Sequence, residues 1–178
     1  MNSSEKFNFK LGERFLEEWA DPPEDPLGEL SRFEMGWRSF CFEYNHKVLI
    51  EIGDAQKEVF LDPDICMMID NYFPKEIAKL SQGQKIEIDF GESWFTIMLL
   101  PIDNKINCTW IKFGTSCWEK QFECDRTQVL DALRGFLEEV MQLALDKGYI
   151  TLEEKEEFIS PAFSAGNDAV AIASVIEY

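Results

Sequence analysis

The sequence predicts an α+β domain: an antiparallel β-sheet, built from a meander around residues 85–124 plus an N-terminal hairpin, covered by a long amphipathic helix. Three observations carry this. Between Lys85 and Cys124, runs of strand-like residues are separated by short turn signals at Gly91-Glu92, Asp103-Asn104 and Gly114-Thr115. Beyond them Val129, Leu130, Leu133, Phe136, Leu137, Val140, Met141 and Ala144 recur at helical spacing. The 178 residues contain no internal repeat and no linker of the length that would separate domains, so a single domain spanning 1–178 is expected.

From the N-terminus, Phe7, Phe9 and Leu11 alternate with polar residues and predict a short strand, while Arg14 to Trp19 suits a helical turn equally well. In Asp21-Pro22-Pro23-Glu24-Asp25-Pro26 the prolines fix their own φ angles and push their predecessors out of the helical region, which makes an acidic surface loop. The aromatic-rich stretch Phe33–Tyr44 and the run Lys47–Ile52 are divided only by Asn45-His46. That is hairpin spacing and predicts two antiparallel strands. A third strand is expected over Glu58–Leu61, after a turn at Gly53-Asp54. Asp62-Pro63 suits a helix start, with Asp as N-cap and Pro at the first helical position, running through Ile65, Met68 and Ile69 until Pro74 interrupts it. A second helical piece follows from Lys75 to Leu80 and ends near Gly83.

In the meander, Ile86, Ile88 and Phe90 point one way and Lys85, Glu87 and Asp89 the other, as in a half-buried strand. The run Trp94–Leu100 is apolar on both faces and predicts a central strand. Asp125 or Thr127 caps the long helix, which Lys147-Gly148 ends; its stripe stabilises the domain by on the order of 2 kcal/mol per large side chain buried. Thr151 with Glu154 forms a capping-box pair that opens a short helix, Leu152–Phe158. The tail 160–178 is rich in small residues and nearly uncharged, so it is expected to pack, with Ala169–Ile176 as helix or strand.

Acidity dominates the surface chemistry. There are 34 Asp and Glu against 17 Lys and Arg, a formal net charge of -17. No basic run exists that could displace counterions from a phosphate backbone, so direct nucleic-acid binding is not expected and a basic protein partner is the better match. The plainer reading is that the charge keeps the protein soluble. The 46% hydrophobic and 13% aromatic content belongs to a folded protein rather than a disordered acidic tail. Cys41, Cys66, Cys108, Cys117 and Cys124 are odd in number with no CxxC, and read as reduced core residues of a cytoplasmic protein. Met1–Lys10 lacks the apolar stretch of a signal peptide and Phe95–Ile102 is too short to span a bilayer, so no membrane association is expected.

Catalytic motifs are scarce. His46 is the only histidine and falls in the predicted hairpin loop, which leaves Ser-His or Cys-His chemistry without support. Neither a phosphate-binding glycine loop nor a GxSxG elbow occurs. Glu87, Asp89 and Glu92, or Asp62 and Asp64, are the acidic sets that a hard cation would choose, but the twelve-residue calcium loop is absent and the chain is read as having no metal and no cofactor. Large aromatics in a sheet are usually core, whereas an exposed one beside acids is a binding anchor. On that ground the candidate binding residues are Glu87, Asp89 and Glu92, Trp118 with Glu119 and Glu123 at a sheet edge, and Trp19 with Glu17 and Glu18.

In size, acidity and lack of catalytic motifs the chain resembles the acidic immunity proteins of bacterial toxin systems, which bind and block basic nuclease toxins. The resemblance implies a binding protein that neutralises a basic toxin domain by surface complementarity, and carries no functional residue with it. The alternatives are an enzyme with a carboxylate-lined pocket, in which burial raises one acid's pKa for proton transfer, and a subunit of a larger assembly.

Overall fold

The structure is a computed structural model that describes residues 3–16 and 21–175, with side chains through 164. Glu17, Glu18 and Trp19 therefore lie outside the described residues. Alternation makes a strand of Phe7–Arg14 (β1), which buries Phe7 and Phe9.

The stretch expected to be the first arm of a hairpin is instead a helix, Arg32–Glu43 (α1). Its apolar residues explain why: Phe33, Trp37, Phe40 and Cys41 fall at i, i+4, i+7 and i+8, one face of a helix, and Trp37, Phe40 and Cys41 are buried. The start is fixed by a capping box in which Ser31 Oγ accepts the Glu34 N–H at 3.1 Å and the Glu34 carboxylate accepts the Ser31 N–H at 2.7 Å. Aromatic richness favours strands only weakly, and helical spacing with a cap overrides it. His46 is correspondingly not a hairpin-loop residue. It opens the next strand, with Nδ1 2.9 Å from the Gly12 carbonyl oxygen across the ladder to β1.

That strand, His46–Ile52 (β2), pairs antiparallel with β1 and with Ala55–Phe60 (β3), giving a three-stranded sheet in the order β1-β2-β3. The N-terminal hairpin is thus β2–β3, turned at Gly53-Asp54, where Gly53 has φ +58°, the left-handed region that favours glycine. The expected helix start at Asp62 also differs. Asp62 keeps an extended backbone (φ -108°, ψ 120°) because buried Asn45 engages both its backbone groups, donating to its carbonyl at 3.2 Å and accepting from its N–H at 3.0 Å. A π-helical turn, Leu61–Ile65, leads into Cys66–Asp70 (α2). The break that follows is made by left-handed Tyr72 (φ 66°) rather than by Pro74, which sits in the first turn of Phe73–Ser81 (α3), where no backbone N–H is needed.

The meander forms as its turn signals require: Ile86–Phe90 (β4), Phe95–Ile102 (β5), Lys105–Lys112 (β6) and Trp118–Asp125 (β7), antiparallel in that order. Asp125 caps Arg126–Asp146 (α4), accepting the Gln128 N–H at 3.0 Å. Every apolar position read from its spacing, Val129 through Ala144, is buried. The capping box at Thr151 and Glu154 opens Leu152–Val175 (α5), far longer than expected. Pro161 lies inside it, and the Glu157 carbonyl that its missing N–H would have bonded accepts the Ser160 hydroxyl at 2.9 Å instead.

Helices α3 and α4 pack on one side of the meander, and α5 packs on both helices. The two sheets meet through Phe9, whose ring lies 6.4 Å from Phe90 and 5.5 Å from Phe136. They also meet at the chain's start, where Glu5 pairs in parallel with Cys124 and donates its N–H to the Glu123 carbonyl at 2.9 Å. Gly53 closes the joint: a Cβ there would come within 2.4 Å of the Phe122 ring. All the cysteines are free; Cys41, Cys66, Cys108 and Cys124 are buried, and Cys117 is exposed in the β6–β7 connection.

Candidate functional site

Register decides which side chains of the meander share a face. Ile86, Ile88 and Phe90 oppose Leu99, Ile97 and Phe95, and beyond them Cys108 and Trp110, all buried under the helices. The alternate residues form the other face. Asp89 opposes Thr96, Thr96 opposes Ile111, and Ile111 opposes Glu119. In the next row Glu87, Met98, Thr109 and Gln121 lie side by side, and in the one after that Leu100, Asn107 and Glu123.

This outer face has a definite layout. Of its two inner strands, β5 presents Thr96, Met98, Leu100 and Ile102, of which Leu100 is 42% and Ile102 52% exposed, and β6 presents Lys105, Asn107, Thr109 and Ile111. Its two edge strands present exposed carboxylates, Glu87 and Asp89 on β4 and Glu119 and Glu123 on β7. The edges are separated by three inter-strand spacings, about 14 Å. Polar partners are few: Asp89 accepts the Thr96 hydroxyl at 3.1 Å, and Lys85 stands 3.8 Å from Glu87. Exposed apolar residues flanked by charge are a feature of protein-binding surfaces, and here they are concentrated on β5.

Beyond the Asp89 row the face ends in two exposed aromatics that strand-like patterning concealed. Trp94, expected to open the central strand, instead closes a 3₁₀ turn over Gly91–Ser93 in the left-handed region (φ 63°) and is 62% exposed. Phe113, 47% exposed, donates its N–H to the Trp94 carbonyl at 2.8 Å. A bulky residue at positive φ carries backbone strain, which persists where the surroundings over-determine it and clusters at functional positions. Glu92 is exposed in the same turn.

Beneath that turn the second acidic set meets the first. Asp64 is buried, accepts the Ser93 hydroxyl in a short hydrogen bond, and feels Glu92 and Asp89. Burial raises its pKa above the ordinary carboxylate value, against the hydrogen bonds from Ser93 and the Glu92 backbone, which pull it down. Among the described residues no group of three or more His, Cys, Asp or Glu is arranged to hold a metal ion. Asp64 therefore ties the π-helical turn to the rim of the face.

Of the residues singled out from sequence, Glu87, Asp89, Glu119 and Glu123 converge on one face, and Glu92 stands at its end. Trp118 points to the opposite side, half-buried as the last ring of a stack, Phe90–Phe95–Trp110–Trp118, with centroids 4.5, 5.0 and 6.3 Å apart. The signal that could have found Trp94 is the Gly-Glu-Ser triplet before it, which makes the turn three residues long rather than two.

A separate cleft of about 430 Å³ opens between α1 and α2, lined by Asp21, Arg38, Phe42, Asp62, Met67 and Asp70. Arg38 donates to Asp70 at 3.1 Å, yet burial still lifts the Asp70 pKa above its ordinary value. No described helix is long and apolar enough to cross a membrane. Comparison with known proteins finds no protein family, no curated protein and no solved structure that matches the chain.

Proposed function

We propose that the chain is an acidic binding protein that receives a basic protein partner on the outer face of the meander, and that it acts as an immunity-type inhibitor, covering a basic toxin or nuclease domain by surface complementarity. One observation carries the reading: carboxylates line both edges of a sheet face on which β5 exposes an apolar strip, with exposed Trp94 and Phe113 beyond its end. Complementary charge accelerates encounter, and buried aromatic anchors slow release. A net charge of -17 extends that field to the whole surface and turns nucleic acid away.

The test is capture of the native partner at low and high salt, followed by Glu87→Lys, Asp89→Lys, Glu119→Lys and Glu123→Lys together. The reading expects a basic protein retained at low salt, weakened as salt screens the charges, and lost from the reversed variant. Retention by the reversed variant would remove the face from the interface.

The enzyme reading is favoured by a different observation, the cleft in which Asp21, Asp62 and Asp70 converge beside Arg38. It takes second place because the hydrogen-bond partner recorded for Asp70, among the described residues, is the Arg38 guanidinium, which is neither a nucleophile nor a proton donor poised for catalysis. A turnover abolished by Asp70→Asn but untouched by the reversals on the meander would reverse the ranking.

A further inference from the structure

The dimensions of the face specify more than the sign of its partner. Resting on the binding reading above, we infer that the element seated on the meander is an amphipathic α-helix with an apolar stripe and basic residues on both flanks.

The width is the first reason. Two carboxylate lines about 14 Å apart leave room between them for a helix, whose diameter with side chains is about 10–12 Å. A helix lying along the midline places its flanking Lys and Arg side chains over the rims, where their long stems cover apolar surface and their heads reach Glu87 and Asp89 on one side and Glu119 and Glu123 on the other. The length is the second reason. Met98, Leu100 and Ile102 follow one another at two-residue intervals on β5, a strip about 14 Å long that about two and a half helical turns cover.

The rival occupants fit less well. A partner sheet packed on the face would extend past both carboxylate lines and lay its own strands over the charges instead of between them. A single added strand binds along an edge, β4 or β7, which leaves Met98, Leu100 and Ile102 on inner strand β5 uncovered, and the β7 edge is already occupied by Glu5 along a stretch of its length. A second copy of this chain would bring its own acidic rims against these.

The experiment uses the whole chain and a designed peptide of about fifteen residues, long enough for four helical turns. Leucine is placed at helical period with lysine on both flanks, and the control peptide has the same composition with leucine and lysine strictly alternating, a strand pattern. Binding is followed by Trp fluorescence and by backbone amide shifts. The expected result is affinity for the helical peptide at least about tenfold above the alternating one. A gain of peptide helicity on binding and shifts at Thr96, Met98, Leu100 and Ile111 should accompany it. Leu100→Asp should abolish the preference. So should Glu87→Lys with Glu123→Lys, an exposed pair that leaves the fold intact if the apolar variant does not.

Equal affinity for both peptides, or shifts confined to the Asp21–Asp70 cleft, would overturn the inference. A native basic partner whose cross-links to this face come from a strand or loop would also overturn it while leaving the binding reading in place. Absence of any basic partner would instead bring down the binding reading itself.

Discussion

The outer faces of the two sheets are built by the same alternation and end up opposite in character. On the three-stranded sheet the acids are answered from within: Lys6 and Lys10 close on Glu51 at 3.2 and 2.9 Å, and Lys47 stands 3.7 Å from Glu58. The stems of Lys6 and Lys10 leave the Glu51 side chain only 10% exposed. On the meander, Glu119 and Glu123 have no ion pair among the described residues, and between the edges stand the apolar residues Met98, Leu100 and Ile102 of β5 beside Thr109, Asn107 and Lys105 of β6. A chain with surplus acid does not spread it evenly. One face pairs its carboxylates closely with lysines, and the other sets them on two edges with a Thr96 hydrogen bond to Asp89 and the single ion pair Lys85–Glu87 among its described residues.

The largest expected effect comes from breaking the joint that holds the two faces together. Gly53→Ala forces a Cβ to 2.4 Å from the Phe122 ring at a residue with φ +58°, so it suffers both overpacking and backbone strain. Urea denaturation should show a loss of about 2–3 kcal/mol. An unchanged midpoint would mean that the sheets are not joined there.

Next come the faces themselves. Reversing Glu87, Asp89, Glu119 and Glu123 to Lys should lower affinity for a basic partner by about tenfold or more, mostly through the association rate, with little change in melting temperature. Glu58→Lys on the other sheet is the matched control for Glu119→Lys alone, an equal change in charge, and should leave affinity within about twofold. Equal effects from the two faces would dissolve the distinction between them. Trp94→Ala should raise the dissociation rate with the association rate nearly unchanged, as expected of an anchor and not of a steering charge.

The smallest effects are pH-dependent and of opposite sign on the two sides of the molecule. Hydrogen bonds from Lys10 and then Lys6 hold the Glu51 pKa below its ordinary value of 4.5. A depressed folded pKa stabilises above the unfolded value and loses that stability as pH falls through the folded one. Wild type should therefore melt above Glu51→Gln at neutral pH, with the gap closing in acid. Asp64 is the reverse, because burial raises it above 3.8. Relative to Asp64→Asn, wild type should gain stability as pH falls through the raised pKa and level off below 3.8. Parallel melting curves for either pair across that range would refute the corresponding assignment.

How much of this is legible in the sequence depends on whether a feature is local. The α4 stripe repeats over enough turns that helical period has no competitor, and each of its apolar positions is buried. The outward direction of Glu87 and Asp89 follows from alternation within one strand. That Glu119 and Glu123 share their face does not, because it depends on the pairing of β6 with β7, and a slip of one residue would turn them inward. The α1 segment carries both helix signals, spacing and the Ser31–Glu34 box, beside an aromatic content that points to strands; in the fold, period outweighs content. Trp94 is hidden because a left-handed backbone is a conformation that residue type does not announce outside Gly, Asn and Asp.

The parallel contact between Glu5 and Cys124 joins residues far apart in the chain and pins the strand that carries Glu119 and Glu123. Pairings of such long separation close late, after their loop entropy has been met by other contacts. During synthesis the first sheet has all its strands long before β7 leaves the ribosome, so the ion pairs of Glu51 and Glu58 can close while the Glu119–Glu123 edge of the meander is still to be made.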